Sequence, residues 1–153
     1  MKVVINKCFG GFSLSRKATK RLAELQGREC YFFTSDFQNR YIPAEEQTGR
    51  DVFWTAFDIP NPNEVLNSQV NWNEMTDAQK KASGESYDKH SISNRPDDRA
   101  DKLLIQVVEE LGSERASGGC AELKIVEIPD GVDYEISEYD GNEHIAEKHC
   151  TWS

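Results

Sequence analysis

Uninterrupted apolar runs in this chain are only a few residues long, Val3-Val4-Ile5 and Cys30-Tyr31-Phe32-Phe33 among them. A helix that crosses a bilayer needs about 20 consecutive apolar residues. The chain therefore reads as soluble, and its core has to be assembled from short amphipathic pieces. An apolar share of 37% over 153 residues, with a mean hydropathy of −0.70, fits one modest core under a wet surface. The opening Met1-Lys2-Val3-Val4-Ile5-Asn6-Lys7 mixes charge into a strand pattern and lacks the apolar centre of a secretion signal. A cytoplasmic location without a membrane partner is expected.

Charge is unevenly spread. Residues 1–30 carry seven Lys/Arg against two acids, whereas residues 101–153 carry four against thirteen, within a net charge of −9. Duplex nucleic acid requires many phosphates to be neutralised, so it is not an expected partner. A small anion needs only a few converging cations and amides. The cysteines Cys8, Cys30, Cys120 and Cys150 form no CxxC pair, which leaves a zinc ribbon or redox motif unsupported. Reduced, buried thiols are expected.

Periodicity supplies the elements. A strand over about 2–8 leads into Phe9-Gly10-Gly11-Phe12-Ser13, after which Ser13 or Ser15 caps a helix with Leu14, Ala18, Leu22 and Leu25 on its apolar side. Aromatic strands are expected at 30–34 and 51–57. Thr76-Asp77-Ala78-Gln79 fits a capping box for one short helix inside an otherwise irregular stretch. Asp101 caps a helix over 102–111 that Gly112 ends, with Leu104, Val107, Val108 and Leu111 as its stripe. The runs 123–128 and 132–136, joined by Pro129-Asp130-Gly131, predict a hairpin, and Asp140-Gly141 leads into a polar tail. The expected fold class is α+β: a largely antiparallel sheet with two helices packed on it, in a single domain over 1–153 with a loop-rich insertion at about 64–100.

Catalytic patterns are thin. The chain holds no HExxH, GxSxG or Walker loop. His144 and His149 stand about 140° apart on a helix, so neither a metal site nor a cofactor is expected. Glu138, Asp140 and Glu143 read as a solvated acidic face. The Phe9-Gly10-Gly11 junction is either a tight turn or a backbone cradle for an anion. Residues 89–99 gather His90, Asn94, Arg95 and Arg99, whose donors suit a phosphate if they do not simply pair with Asp97, Asp98 and Asp101. Trp54, Trp72 or Tyr87 would stack a base. The basic first helix is a solvated face or a docking surface for a second copy or a polyanion.

Four stretches carry a family resemblance: residues 3–15 (Val3-Val4-Ile5-Asn6-Lys7-Cys8-Phe9-Gly10-Gly11-Phe12-Ser13-Leu14-Ser15), 99–112, 123–129 and Glu138-Tyr139-Asp140-Gly141. In this order they resemble the phage anti-Thoeris proteins of the first type. The resemblance implies a non-enzymatic sponge in the host bacterial cytoplasm. Such proteins sequester cyclic ADP-ribose isomers made by TIR-domain enzymes, and some take up the cyclic di- and trinucleotides of CBASS immunity. It implies a homo-oligomer, dimers assembling into a hexamer, with pockets at subunit contacts. Arg99 is then the main pocket residue, with Asn94, Arg95, Trp72 and Trp54 beside it. Lys17, Lys20 and Arg21 would serve a separate trinucleotide site, and Arg99→Ala would abolish uptake with the fold intact. Lys102 departs from the family pattern, where a proline-like helix start is expected. A messenger-cleaving phosphodiesterase and a protein-binding inhibitor using the acidic C-terminal face are the competing readings.

Overall fold

The computed structural model describes residues 1–35, 40–44, 54–66 and 72–148. Its elements run β1 (Lys2–Asn6), α1 (Arg16–Leu25), β2 (Tyr31–Ser35), β3 (Tyr41–Pro43), β4 (Thr55–Phe57), α2 (Pro62–Val65), a 3-10 turn (Trp72–Glu74), α3 (Asp77–His90), β5 (Ser91–Ile92), α4 (Lys102–Ala116), β6 (Leu123–Glu127), β7 (Tyr134–Tyr139) and β8 (Asn142–Glu147). All strand pairs among the described residues are antiparallel, and the class is α+β.

The helices α1, α3 and α4 begin where a side chain satisfies one of their first amides. Of the two serines available, Ser15 caps α1, its Oγ accepting the Ala18 N–H at 3.1 Å. Asp101 caps α4 by accepting the Leu103 N–H at 2.8 Å. Thr76 and Gln79 form the full capping box of α3. That helix runs 14 residues, well beyond the short one expected: Ala78 to Ala82 are good helix formers, no proline interrupts the run, and Tyr87 in its last turns packs edge-on against Phe57. Gly112, at φ 79°, breaks α4 where the sequence ends it, but a further turn continues to the fully buried Ala116.

The chain divides into two compact units, one of Met1–Gln26 with Asn94–Ser153 and the other of Gly27–Ser93. In the first, β1 pairs with β6 from Lys2↔Glu127 to Asn6↔Leu123. Val4 and Leu123 of this pair join Leu14 and Leu22 from the α1 side and Leu104, Val107 and Val108 of α4 in one core. The expected hairpin between β6 and β7 does not form. Val3, Val4 and Ile5 are buried almost completely; β6 pairs with them on one side of the strand, and the Arg99 carbonyl takes the Val4 N–H on the other. β7 pairs instead with β8, from Tyr134↔Glu147 to Tyr139↔Asn142. Asp140 (φ 50°) and Gly141 (φ 86°) close that hairpin with the two positive φ values of a tight primed turn. Residues 142–147 thus form a strand where the sequence suggested a polar tail.

In the second unit the sheet order is β3-β2-β4-β5. Phe33, Phe57 and Leu66 make its core, with Tyr31, Tyr41 and Ile59 packed on it. Tyr41 meets Phe57 edge-on with centroids 4.9 Å apart, and Tyr87 of α3 does the same at 5.7 Å. Asn63 of α2 acts as a substitute strand partner for Tyr41, bonding its N–H at 2.7 Å and its carbonyl at 2.8 Å. The sequence-predicted strand at 51–57 is observed from Thr55, and residues 51–53 lie outside the described ones. No helix among the described residues is long and apolar enough to cross a membrane.

Candidate functional site

At the end of β1 the first unit encloses a polar knot. Asn6 is fully buried and uses both ends of its amide. Its Nδ2 donates to the carbonyls of Cys8 at 2.8 Å and Gly141 at 2.7 Å. Its Oδ1 accepts the N–H groups of Cys8 at 3.2 Å and Glu122 at 2.9 Å. One carboxylate oxygen of Glu143, on β8, accepts both the Asn6 N–H and Nη1 of Arg99, each at 2.8 Å. Glu143 is 5% exposed, so it is not part of a solvated acidic face as the sequence suggested. A buried carboxylate persists only when it is paired and hydrogen-bonded, and here Arg99 and Asn6 meet that demand.

Arg99 is fixed at several points. Its guanidinium carbon lies 3.5 Å from the centroid of the buried Phe12 ring. Nε donates to the Pro96 carbonyl at 3.2 Å, and the Arg99 carbonyl accepts the Val4 N–H at 2.9 Å. Nη2 makes no hydrogen bond among the described residues. The side chain is 17% exposed. Arg99 therefore has a structural duty toward Glu143, and Nη2 is the one guanidinium nitrogen left with capacity for an anion among the described residues.

The hairpin turn completes the knot. Gly10 donates its N–H to the Asp140 carbonyl at 3.0 Å, and a Cβ on Gly141 would lie 2.7 Å from the Cα of Gly11. Only glycine permits this approach of two backbones. Phe9 and Tyr139, the residues that precede Gly10 and Asp140, are 59% and 79% exposed. The paired glycines thus serve as the seat of a hairpin.

Other candidate residues fall as follows. Asn94 is half-buried and its carbonyl accepts the Leu14 N–H at 2.8 Å. Arg95 is exposed. Lys17 is exposed and Lys20 half-buried on α1. Arg21 is bound to Glu110 of α4 through Nε at 3.0 Å and to Glu24 at 3.4 Å. The Arg21 hydrogen bond holds the Glu110 carboxyl below its ordinary range. Trp54, in the second unit, packs edge-on against Phe32 at 5.1 Å. Trp72 lies on the 3-10 turn, and its side chain is outside the description, as are His149 and Cys150. Among the described residues Cys8, Cys30 and Cys120 form no disulfide; Cys8 and Cys30 are half-buried and Cys120 is exposed, so they are not the buried thiols that the sequence suggested. Among the described residues no group of three His, Cys, Asp or Glu could hold a metal ion.

His90 belongs to a separate cluster in the second unit. Its Nδ1 lies 2.8 Å from Asp58 Oδ1, and Arg28 holds the other oxygen at 3.0 Å. Arg28 Nη2 also reaches the Ser91 carbonyl at 3.4 Å, just past the end of α3. Burial is the largest single influence on Asp58 and opposes its ionisation. The His90 and Arg28 bonds together outweigh it and hold the carboxyl below its ordinary range. A carboxyl depressed by folding stabilises the fold fully above its unfolded pKa and progressively less as pH falls through the folded value. Asp58→Asn is therefore expected to flatten the loss of stability between about pH 5 and pH 3. Urea titrations at several acidic pH values measure this, and an unchanged slope refutes it.

Sequence reasoning missed Asn6 and Glu143, although the Asp140-Gly141 dipeptide was the signal that a strand, and with it Glu143, returns to β1. Compared with protein-family models, with curated proteins and with solved structures, the chain matches none.

Proposed function

We propose that this chain is a non-enzymatic sponge of the anti-Thoeris kind. In this reading it binds cyclic ADP-ribose isomers, and also cyclic di- and trinucleotides, without cleaving them. It acts as a homo-oligomer in the cytoplasm of an infected bacterium. The observation that carries the reading is Arg99. It lies inside one of the stretches that resemble the family, is held on Phe12 and Glu143, and keeps Nη2 uncommitted among the described residues. A guanidinium–phosphate bond contributes about 1.5–3 kcal/mol and a stacked base about 1–3 kcal/mol. Nanomolar binding needs about 12 kcal/mol, so several such contacts must act together on a rigid ring.

A thermal-shift panel of cyclic ADP-ribose isomers and cyclic di- and trinucleotides tests this, with light scattering for mass. Ligand at 100-fold its Kd stabilises by about 2.7 kcal/mol, which for a chain of this length raises Tm by roughly 5–10 °C. Heat-denaturing the complex should return the ligand intact, whereas a phosphodiesterase would return cleaved product. No shift with any ligand overturns the proposal.

One observation favours a second reading. The β7–β8 tip exposes Tyr139 between the exposed acids Glu138 and Asp140, a surface that suits a protein partner. Absence of nucleotide binding, together with a basic host protein retained by the wild type and lost with Tyr139→Ala, would move the assignment there.

A further inference from the structure

Of the three long helices, α3 is held in place differently from the other two. α1 buries Ala18, Thr19, Leu22 and Ala23, and α4 buries Leu104, Val107, Val108 and Ala116. α3 has no buried residue along its 14 positions. Its least exposed side chains, Lys80, Ser83, Ser86 and His90, share one face at helical spacing and are all polar. Asp77, Lys81, Glu85 and Lys89, four residues apart, run alternating charges down an exposed side, a spacing that supports a helix from within. The capping box does the same at the first turn. α3 thus takes its helicity from its own sequence, and a helix of this length is marginal in water without a buried face.

Its attachment is concentrated at the C-terminal end. His90 Nδ1 is bonded to Asp58, and the Asp58 N–H donates to the His90 carbonyl at 2.9 Å. Arg28 binds the same carboxylate, and its Nη2 also reaches the Lys89 and Ser91 carbonyls at 3.5 and 3.4 Å. Further up the helix, the Ser83 hydroxyl donates to the Leu66 carbonyl at 2.9 Å, and the Tyr87 ring meets Phe57 edge-on. We infer that α3 is a lid over Phe57, latched by Arg28, Asp58 and His90, that opens while the sheet beneath it stays folded. Opening carries Tyr87 off Phe57 and uncovers the edge of that otherwise buried ring. Lid and latch lie wholly in the second unit, so their behaviour does not depend on the sponge reading.

Native-state hydrogen exchange on the full chain near neutral pH tests this. After correction for intrinsic rates, the amides of Lys81–Asp88 are expected to exchange at least about 100-fold faster than those of Phe32 and Phe33 in β2. Their rates should not change in about 1 M urea, because a local opening exposes little surface. Asp58→Asn weakens the latch and should speed exchange in α3 about tenfold, the loss expected for a charge-assisted hydrogen bond. Phe33→Leu thins the core of the same unit without touching the latch, and should leave α3 within about twofold of wild type. Protection of α3 equal to that of β2, urea-sensitive exchange in α3, or no acceleration in Asp58→Asn overturns the inference. Equal acceleration by Phe33→Leu also overturns it, since α3 would then open only with the whole unit. Should Asp58→Asn not fold, His90→Ala breaks the latch from the helix side and carries the same expectation; should no variant fold, the two wild-type measurements decide.

Discussion

Arg99→Ala is expected to lower the unfolding free energy by about 3–5 kcal/mol, the range for removing one partner of a buried ion pair. Glu143 would remain 5% exposed with its main cation gone, and the Phe12 ring would lose the group stacked on it. Loss of nucleotide uptake in that variant would therefore say little about binding, contrary to the expectation that the fold survives intact. The informative companion is Arg99→Met with Glu143→Gln. Methionine replaces the stem over Phe12, and the glutamine carbonyl still accepts the Asn6 N–H. Urea denaturation should place the double variant within about 2 kcal/mol of wild type, while uptake stays abolished. A stable double variant that still binds would remove Arg99 from the site.

The second large effect is expected at Gly141. An added Cβ meets the backbone of Gly10 and Gly11, and φ at this position is +86°. Backbone strain of about 1–2 kcal/mol adds to overpacking of about 1–3 kcal/mol, for a loss of roughly 2–5 kcal/mol in Gly141→Ala. Gly131 provides the control, since its φ is +79° and a methyl group there would have nothing within 4 Å. Gly131→Ala should show the strain alone. Equal losses in the two variants would mean that the hairpin does not seat on the glycine pair.

Local chemistry was legible in the sequence and pairing was not. Ser15, Thr76 and Asp101 cap the helices that the sequence assigns them, because a cap is decided within three residues. Two turn signals, Pro129-Asp130-Gly131 and Asp140-Gly141, stand in a row, and nothing local says which closes a hairpin. The choice is made by β1, more than a hundred residues away, which takes β6 for itself. The same distance hid the knot. Arg99 stood out as a phosphate donor, but its counter-ion is 44 residues on, and Asn6 meets Glu143 across 137. Glu143 looked like one more surface acid because burial follows tertiary packing, which composition does not encode.

Because β1 and its partner β6 lie more than a hundred residues apart in the chain, the first unit's birth on the ribosome has a fixed timetable. Translation at 5–20 residues per second separates the emergence of Val3-Val4-Ile5 from that of Leu123–Glu127 by on the order of ten seconds. Throughout that wait Gly27–Ser93 has all its own strands to hand, while the nascent leading segment is a greasy, unmatched ribbon that a chaperone would find attractive.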